Sequence, residues 1–417
     1  MTDLDSKKFH EKNRDERLNT VKSFAGLSDE DVEILRNDGG ISFEQANHMV
    51  ENVIGTLSFP LGIATNFKIN GKEYLIPMVI EESSVIAAAS KAAKIARKHG
   101  GFIMKSDESY SIGQIQLVDV NVKSAIPKVL KASKKILELA NSKSNTLSKM
   151  KKGAKKVTCK KLETKSGTML IVELLIDVGD AMGANVTNTM CEAVAPLLEE
   201  ITGGRAILKI LSNYSTKRLV RGRAVFDKDE VGGKQVVDNI IHAYHFAAND
   251  PYRAVTHNKG VMNGIIAVAN ATGQDTRAIE AASHAFASKD GNYTSLTRWK
   301  KDKQGNLVGE IEVPMPVGVV GGIINVHPMI KVATKILGVK SAKELACVIG
   351  AAGLAQNFSA IRALASEGIQ RGHMRLHAKN IAVSAGVPKG KLNEVVSRMI
   401  KEGNVSVTRA SEILGQL

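Results

Sequence analysis

Arg253, Lys259, Asn263 and Asp275 fall within one stretch, from Tyr252 to Arg277, on Gly-containing segments beside an apolar run. They supply a guanidinium that can clamp an anion, an ammonium, an amide and a carboxylate. Reduction of a carbonyl needs such a set: a cation for the oxyanion that forms, and a carboxylate that governs the cation's proton balance. Taken alone, an Arg, a Lys and an Asp close in sequence are more often a solvated ion-pair network.

Three further places could carry chemistry. Glu82 follows an apolar run and opens an Ala-rich segment beside Glu81, Ser83 and Ser84. On residue type alone it reads as a first-turn partner of a helix dipole. Asp180-Ala-Met-Gly-Ala-Asn185 joins a strand-like run to a helix-like one. Backbone N–H groups and the dipole at such a junction suit a pyrophosphate, and Gly183 permits close approach; the plainer reading is capping by Asp180 or Asn185. No Gly-x-Gly-x-x-Gly follows a strand, so a standard dinucleotide fingerprint is absent. His373 and His377 have the i, i+4 spacing of a metal pair, but Met374 follows His373 where a zinc protease needs Glu.

These residues need a scaffold, and 417 residues suffice for two or three cores. The longest apolar run, residues 345–355, is interrupted by Gly350 and Gly353 and falls short of a bilayer span. The polar N-terminus carries no secretory pattern, so a cytoplasmic, non-membrane protein is expected. Three widely spaced cysteines (Cys159, Cys191, Cys347) argue against a disulfide framework. The net charge of +15 is concentrated: residues 123–165 hold fourteen lysines against Glu138 and Glu163, with no arginine and no aromatic. Base-reading surfaces use both of those types, so the segment fits small phosphorylated ligands or a solvated face better than nucleic acid.

Along the chain, residues 4–37 read as short charged helices with Ser28 as an N-cap. Asn70-Gly71 marks a hairpin between residues 67 and 80. Ser83 or Ser84 caps an Ala-rich helix over 85–98 that stops at Gly100-Gly101. A strand over 112–122, a helix over 126–140, strands over 156–163 and 169–177, a helix over 186–200 and a strand over 206–211 compose a βαββαβ, ferredoxin-like unit. A strand over 219–226, Ala- and Gly-rich helices and a small helical tail follow. The expected class is α+β: a large helix-rich domain with an inserted ferredoxin-like domain and a small helical C-terminal lid. The Gly-dense run from Pro316 to Ile324 reads as tight packing, not a phosphate loop.

Five segments in order carry a resemblance: Glu51-Asn-Val-Ile-Gly55, Pro77-Met-Val-Ile-Glu-Glu-Ser-Ser84, Asp180-Ala-Met-Gly-Ala-Asn185, the Lys259 stretch and Gly372-His-Met-Arg-Leu-His377. Together they resemble 3-hydroxy-3-methylglutaryl-coenzyme A (HMG-CoA) reductases of the soluble bacterial, class II form. The resemblance implies reduction of HMG-CoA to mevalonate and free coenzyme A with two hydrides from NADPH, NADH remaining possible. It implies Glu82 as acid/base group in a cluster with Lys259 and Asp275, Lys259 on the oxyanion, and His373 protonating the departing thiolate. Ser84, Arg253 and Asn263 would hold the methylglutaryl part, with Gln356 and Asn357 near substrate or coenzyme A. Asp180, Met182, Gly183, Asn185 and Asn213 would line the cofactor. Ser144 aligns where NAD-using relatives carry Asp, which implies NADPH preference, and Lys143, Lys149, Lys151 and Lys152 lie close to it in sequence.

The implied division is residues 1–108 and 214–370 for the large substrate domain, 109–213 for the cofactor domain and 371–417 for a flap. The implied assembly is a homodimer with the active site at the boundary, to which residues 51–55 belong. Two other readings compete: an NAD-linked catabolic enzyme oxidising mevalonate, and a basic nucleic-acid-binding protein on the same scaffold.

Overall fold

The computed structural model describes residues 8–38, 40–366 and 378–417. His373 and His377 lie outside them. Two sheets organise the chain, each beneath its own helices.

The N-terminal helices α1 (Arg14–Ala25) and α2 (Asp29–Arg36) start at capping boxes on Asn13 and Ser28, as read for Ser28. The short α3 (Phe43–Met49) follows. Then come strands β1 (Leu61–Ile69) and β2 (Lys72–Val79), joined at Asn70 and Gly71. Those residues have φ of 50° and 83°, the two positive values of a type I′ turn. The hairpin starts earlier than its alternation suggests, because a register shift between Ala64 and Phe67 breaks the period.

Helix α4 (Val85–Arg97) lays Ala89, Ala92, Ala93 and Ala96 into the core. Strand β3 (Phe102–Ser106) completes the first part of a six-stranded sheet of order β2-β1-β3-β8-β10-β9. Its later strands are β8 (Leu219–Phe226), β9 (Thr297–Lys301) and β10 (Leu307–Pro314).

Between β3 and β8 runs the second, four-stranded sheet: β4 (Tyr110–Val118), β5 (Gly153–Thr164), β6 (Gly167–Asp177) and β7 (Arg205–Ser212), in order β5-β6-β4-β7, every pair antiparallel. With helices between β4 and β5 and between β6 and β7, this is the expected βαββαβ order. The helix read over 126–140 is two helices, α5 (Val122–Lys131) and α6 (Ser133–Asn141). Ser133 Oγ donates to the Leu130 carbonyl at 2.6 Å, so a side chain takes an acceptor of the helix ladder at the break. The short α7 (Asn145–Lys149) and the long α8 (Ala184–Thr202) complete the unit, and α8 ends at left-handed Gly203. Its core, including Ile115, Val129, Ile136, Val172 and Val194, is separate from the larger one.

The larger core is built around helices α10 (Lys234–Asn249), α11 (Pro251–Ala271), α12 (Thr276–Ala287) and α14 (Ala342–Ala365), with α9 (Lys228–Val231) and α13 (Pro328–Leu337) at its edges. Phe226 and Phe358 stack at 3.9 Å between centroids, with Trp299 and Phe102 beside them. Gly350 and Gly353, which punctuate the apolar run in the sequence, lie inside α14 without ending it. A Cβ on Gly353 would sit 2.7 Å from Ile265, and one on Gly350 3.0 Å from Met104, so these glycines permit close packing inside one continuous helix. That helix is long and apolar enough to cross a membrane, but 83% of its most apolar window is buried within the fold, as for a core helix. The tail, with helices Leu392–Glu402 and Val407–Gly415, has a small core of its own around Val395, Met399 and Ile413.

Candidate functional site

Arg253, Lys259 and Asn263 lie on one continuous helix, not on short Gly-rich segments, and that helix ends at Ala271, before the turn that carries Asp275. Asp250 caps α11 by accepting from Arg253 N at 2.7 Å, and Pro251 takes the first position, where its missing N–H is no loss. At about 100° per residue, Arg253, Lys259 and Asn263 then share an arc of about 120°, with about 9 Å and 6 Å of rise between them. Gly264 lets that helix approach α14, since a Cβ there would lie 2.4 Å from the Ala352 carbonyl oxygen.

Lys259 Nζ donates to Glu82 Oε2 at 2.9 Å, and Asn263 Nδ2 reaches the same oxygen at 3.5 Å. An amide and an ammonium thus converge on one carboxylate across β2, α4 and α11. The pair is open: 60% of the Lys259 side chain and 38% of Glu82 stay exposed. Ser84 holds the first position before α4, yet its side chain makes no capping bond. Its φ of 74° is a left-handed conformation disfavoured for a residue with a Cβ, a strain of the kind that collects at functional loops. Arg253 has no carboxylate partner among the described residues, and burial lowers its guanidinium from the ordinary range. A half-buried cation without a counter-ion is a seat for an anion.

Asp275 forms neither a hydrogen bond nor an ion pair with Glu82 or Lys259. It caps α12, accepting from Ala278 N at 3.0 Å, and lies 3.6 Å from Arg277. Gln356 and Asn357 are both buried, with different surroundings. Asn357 joins His257, Thr297 and Trp299 in a network that ties α14 to α11 and β9. Burial, with Arg253 nearby, holds His257 down at about 3. Asn357 is thus a fold residue. Gln356 Oε1 is buried with no hydrogen-bond partner among the described residues.

The second group of residues gathers at one end of the four-stranded sheet. Tyr110 and Gly153 both pair with Asp177, and Ile112 pairs with Ser212. The loop of Ser144, the Asp180 segment and Asn213 therefore all leave or enter the sheet on the same side. Neither Asp180 nor Asn185 caps α8. The cap position belongs to Gly183 at φ 99°, no side chain caps the helix and no acid lies in its first turn. The N-terminus of this 19-residue helix is left open for an anion. Asp180 instead accepts from Ala342 N at the start of α14, at 2.9 Å. Ser144 Oγ accepts from Leu147 N at 3.3 Å as the cap of α7, leaving its own O–H to donate. Lys152 packs over Gly179 and bonds Asp177 at 3.1 Å.

The lysine surplus does not form one surface. Lys156 and Lys160 lie on the sheet face opposite Val157, whereas α5 and α6, with Lys128 and Lys134, pack on the Val157 face. A split distribution is a poor track for a nucleic-acid backbone.

Two residues outside the sequence reading hold these parts together. Arg218, 3% exposed, donates to the carbonyls of Met182 (3.0 Å), Ala181 (3.1 Å) and Val317. Gln274 Oε1 accepts from Gly318 N at 2.9 Å. In sequence, Arg218 is the second half of a basic dipeptide and looks like surface charge; only the position of Gln274 beside Asp275 was a signal.

An ammonium–carboxylate pair beside an unpartnered guanidinium, with an open helix N-terminus on a separate βαββαβ unit, is the equipment of a dinucleotide-dependent reductase. The family model of hydroxymethylglutaryl-coenzyme A reductase matches residues 13–378. The 3-hydroxy-3-methylglutaryl-coenzyme A reductase of Archaeoglobus fulgidus is 52% identical, over 98% of this chain and 94% of its own. A solved reductase of that name from Streptococcus pneumoniae superposes with a TM-score of 0.85 at 40% identity, covering 99% of this chain and all of its own. A class II structure from the same organism, bound to NADPH in open conformations, gives 0.82 at 41%, covering 97% of this chain and 99% of its own. The chain belongs to the hydroxymethylglutaryl-coenzyme A reductase family.

Proposed function

We propose that the protein reduces HMG-CoA to mevalonate and free coenzyme A, with two NADPH. The observation that carries the assignment is the Lys259–Glu82 bond at 2.9 Å, with Asn263 on the same oxygen, in a chain of this family. When bound, the dinucleotide would supply a hydride, a hydrogen nucleus with two electrons, in each of two rounds. The protein supplies charge and protons. Lys259 holds the carbonyl oxygen as negative charge develops on it, and Glu82 gives that oxygen its proton. Arg253 clamps the methylglutaryl carboxylate, with Ser84 and Asn263 on its hydroxyl and carbonyl. The C–S bond breaks between rounds, and we assign His373 as the donor to the thiolate. Two hydrides and two protons thus turn thioester into alcohol and thiol.

The residues present fit the cofactor. The uncapped start of α8 suits the pyrophosphate, Asp180, Met182, Gly183, Asn185 and Asn213 line the seat, and Ser144 offers a hydroxyl donor in place of an acid for a 2′-phosphate. We assign residues 109–213 to this task, residues 1–108 and 214–370 to the acyl-coenzyme A, and the tail from 371 to closure over both.

The active form in this reading is a homodimer with the site at the boundary. Ile54, Leu57 and Phe59 stand exposed in a segment without helix or strand, as do Tyr252 and Val255 at the start of α11. Contiguous apolar exposure of this kind marks an interface. Glu82 and Lys259 are open in one protomer and Asp275 bonds elsewhere, so a second copy would supply both the missing desolvation and a carboxylate.

The test is oxidation of NADPH and, separately, NADH with HMG-CoA, beside Lys259→Ala. Faster NADPH turnover that the substitution abolishes is expected. Faster NADH turnover would instead favour the catabolic, mevalonate-oxidising direction, and absence of turnover with either would refute the assignment.

A further inference from the structure

Arg218 is a buried cation that no role above explains. Among the described residues its guanidinium makes no hydrogen bond to a carboxylate; it donates to three backbone carbonyls, two in the Asp180 segment and one at Val317. Burial lowers it to about 10, against the pull of Asp177 and Asp180. A desolvated charge of this kind is costly unless its hydrogen bonds are complete, so the geometry around it is tightly defined.

The bonds continue in both directions. Val319 N donates to the Asp180 carbonyl at 2.8 Å, and Ala181 bridges to Val320. Gly318 has no room for a side chain, since a Cβ would sit 2.5 Å from Met182 N. Its own N–H goes to Gln274, whose Nε2 donates back to the Thr272 carbonyl at 2.8 Å. Gln274 directly precedes Asp275. One continuous strap therefore runs from the cofactor segment, through residues 317–319, to the turn that carries Asp275. Peptide planarity gives the strap a further effect. With the Ala181 and Met182 carbonyls turned to Arg218, the N–H groups of Met182 and Gly183 must point away from it.

We propose that Arg218 and Gln274 are positioning residues for the reduction: Arg218 orients the 180–183 backbone that seats the dinucleotide, and Gln274 couples that seat to Asp275. The proposal rests on the reductase reading. An Arg is required at position 218 because its planar fork can serve three carbonyls on two segments, which a Lys, a point charge, cannot match.

The experiment compares the full-length protein with Arg218→Lys and Gln274→Met. NADPH binding is followed by nicotinamide fluorescence without HMG-CoA, alongside steady-state rates and thermal melts. Arg218→Lys is expected to weaken NADPH binding about tenfold or more, the scale of a lost charged hydrogen bond, with KM for HMG-CoA within about twofold. Gln274→Met is expected to lower kcat about tenfold and to shift the pH–rate profile, because Asp275 is displaced, while NADPH binding changes less. A folded Arg218→Lys with unchanged NADPH affinity would overturn the proposal. So would both substrates' constants moving in parallel with the melting temperature, which is the mark of a fold residue only. If Arg218→Lys does not fold, Gln274→Met decides, and an unaltered kcat and pH profile overturns the coupling. Wild-type protein that binds neither NADPH nor NADH would refute the reductase reading itself; wild-type binding with indifferent variants would sink the strap alone.

Discussion

Ile54 offers a test in which fold and function separate cleanly. Its side chain is fully exposed, at 101%, and Leu57 beside it is 84% exposed, so neither contributes to the core of a single protomer. Replacing Ile54 by Ala or Asp should therefore leave protomer stability within about 0.5 kcal/mol of wild type. In a dimer the outcome differs. Full burial of an isoleucine is worth about 1.5–3 kcal/mol, and a two-fold interface counts every substitution twice. Less what the remaining methyl retains, Ile54→Ala should weaken dimerisation by about 2–5 kcal/mol, roughly 30-fold to several thousandfold in Kd. Ile54→Asp adds the desolvation of a carboxylate on each side and should dissociate the pair at working concentrations. Sedimentation velocity over a dilution series, with NADPH oxidation measured at the same concentrations, reads both quantities. The expected result is a monomeric, folded and inactive Asp variant, and a wild type whose specific activity falls on dilution with the dimer. A dimeric Asp variant at full rate would refute the role of this segment. A monomeric variant at full rate would refute the shared site.

Other substitutions probe the pair, the packing and the N-terminal helices. Lys259→Ala should lower kcat by about 10²–10³ or more, as loss of an oxyanion donor does, while an ion pair this open adds at most about 1 kcal/mol to stability; a urea midpoint that moved with the rate would contradict this. Gly264→Ala should destabilise by about 1–3 kcal/mol despite its better helix propensity, because its methyl meets the Ala352 carbonyl; an unchanged urea midpoint would show that α11 and α14 can separate freely. Asp31 is buried, which raises its carboxyl, but Lys335 at 2.6 Å and the Ser28 bonds outweigh that and leave it below the ordinary range. A depressed carboxyl contributes stability above its unfolded pKa, about 4, and loses it as pH falls through the folded value. Docking of α1 and α2 on α13 should therefore weaken below about pH 4, and Asp31→Asn should remove that step from an acid titration followed by hydrogen exchange.

How much of this was legible beforehand follows from the range of the interactions involved. Turns and caps depend on a few neighbouring residues, and Asn70-Gly71, Ser28 and Gly203 stand where the chain announces them. The βαββαβ order was readable for the same reason, since alternation and helical period are local. The break between α5 and α6 was not, because it turns on the single choice of a serine hydroxyl to bond the Leu130 carbonyl. A glycine whose role lies in a distant partner is not legible: Gly350 and Gly353 only punctuate an apolar run until β3, β8 and α11 are packed against them. Among candidate site residues, Glu82 and Lys259, two of the three groups in the implied cluster, bond each other, and Asn263 reaches the same oxygen. Asn357 is absorbed by the core, and Asp275 serves its own helix within the protomer. Arg218 had no signal at all, because a buried arginine whose partners are backbone carbonyls leaves no acidic residue in the sequence to betray it. What a sequence hides, then, is the polar contact whose other half is main chain. In this protein those contacts join the Asp180 segment to the turn of Asp275, so on the proposed function the hidden residues are the ones that would let the two cores act as a single site.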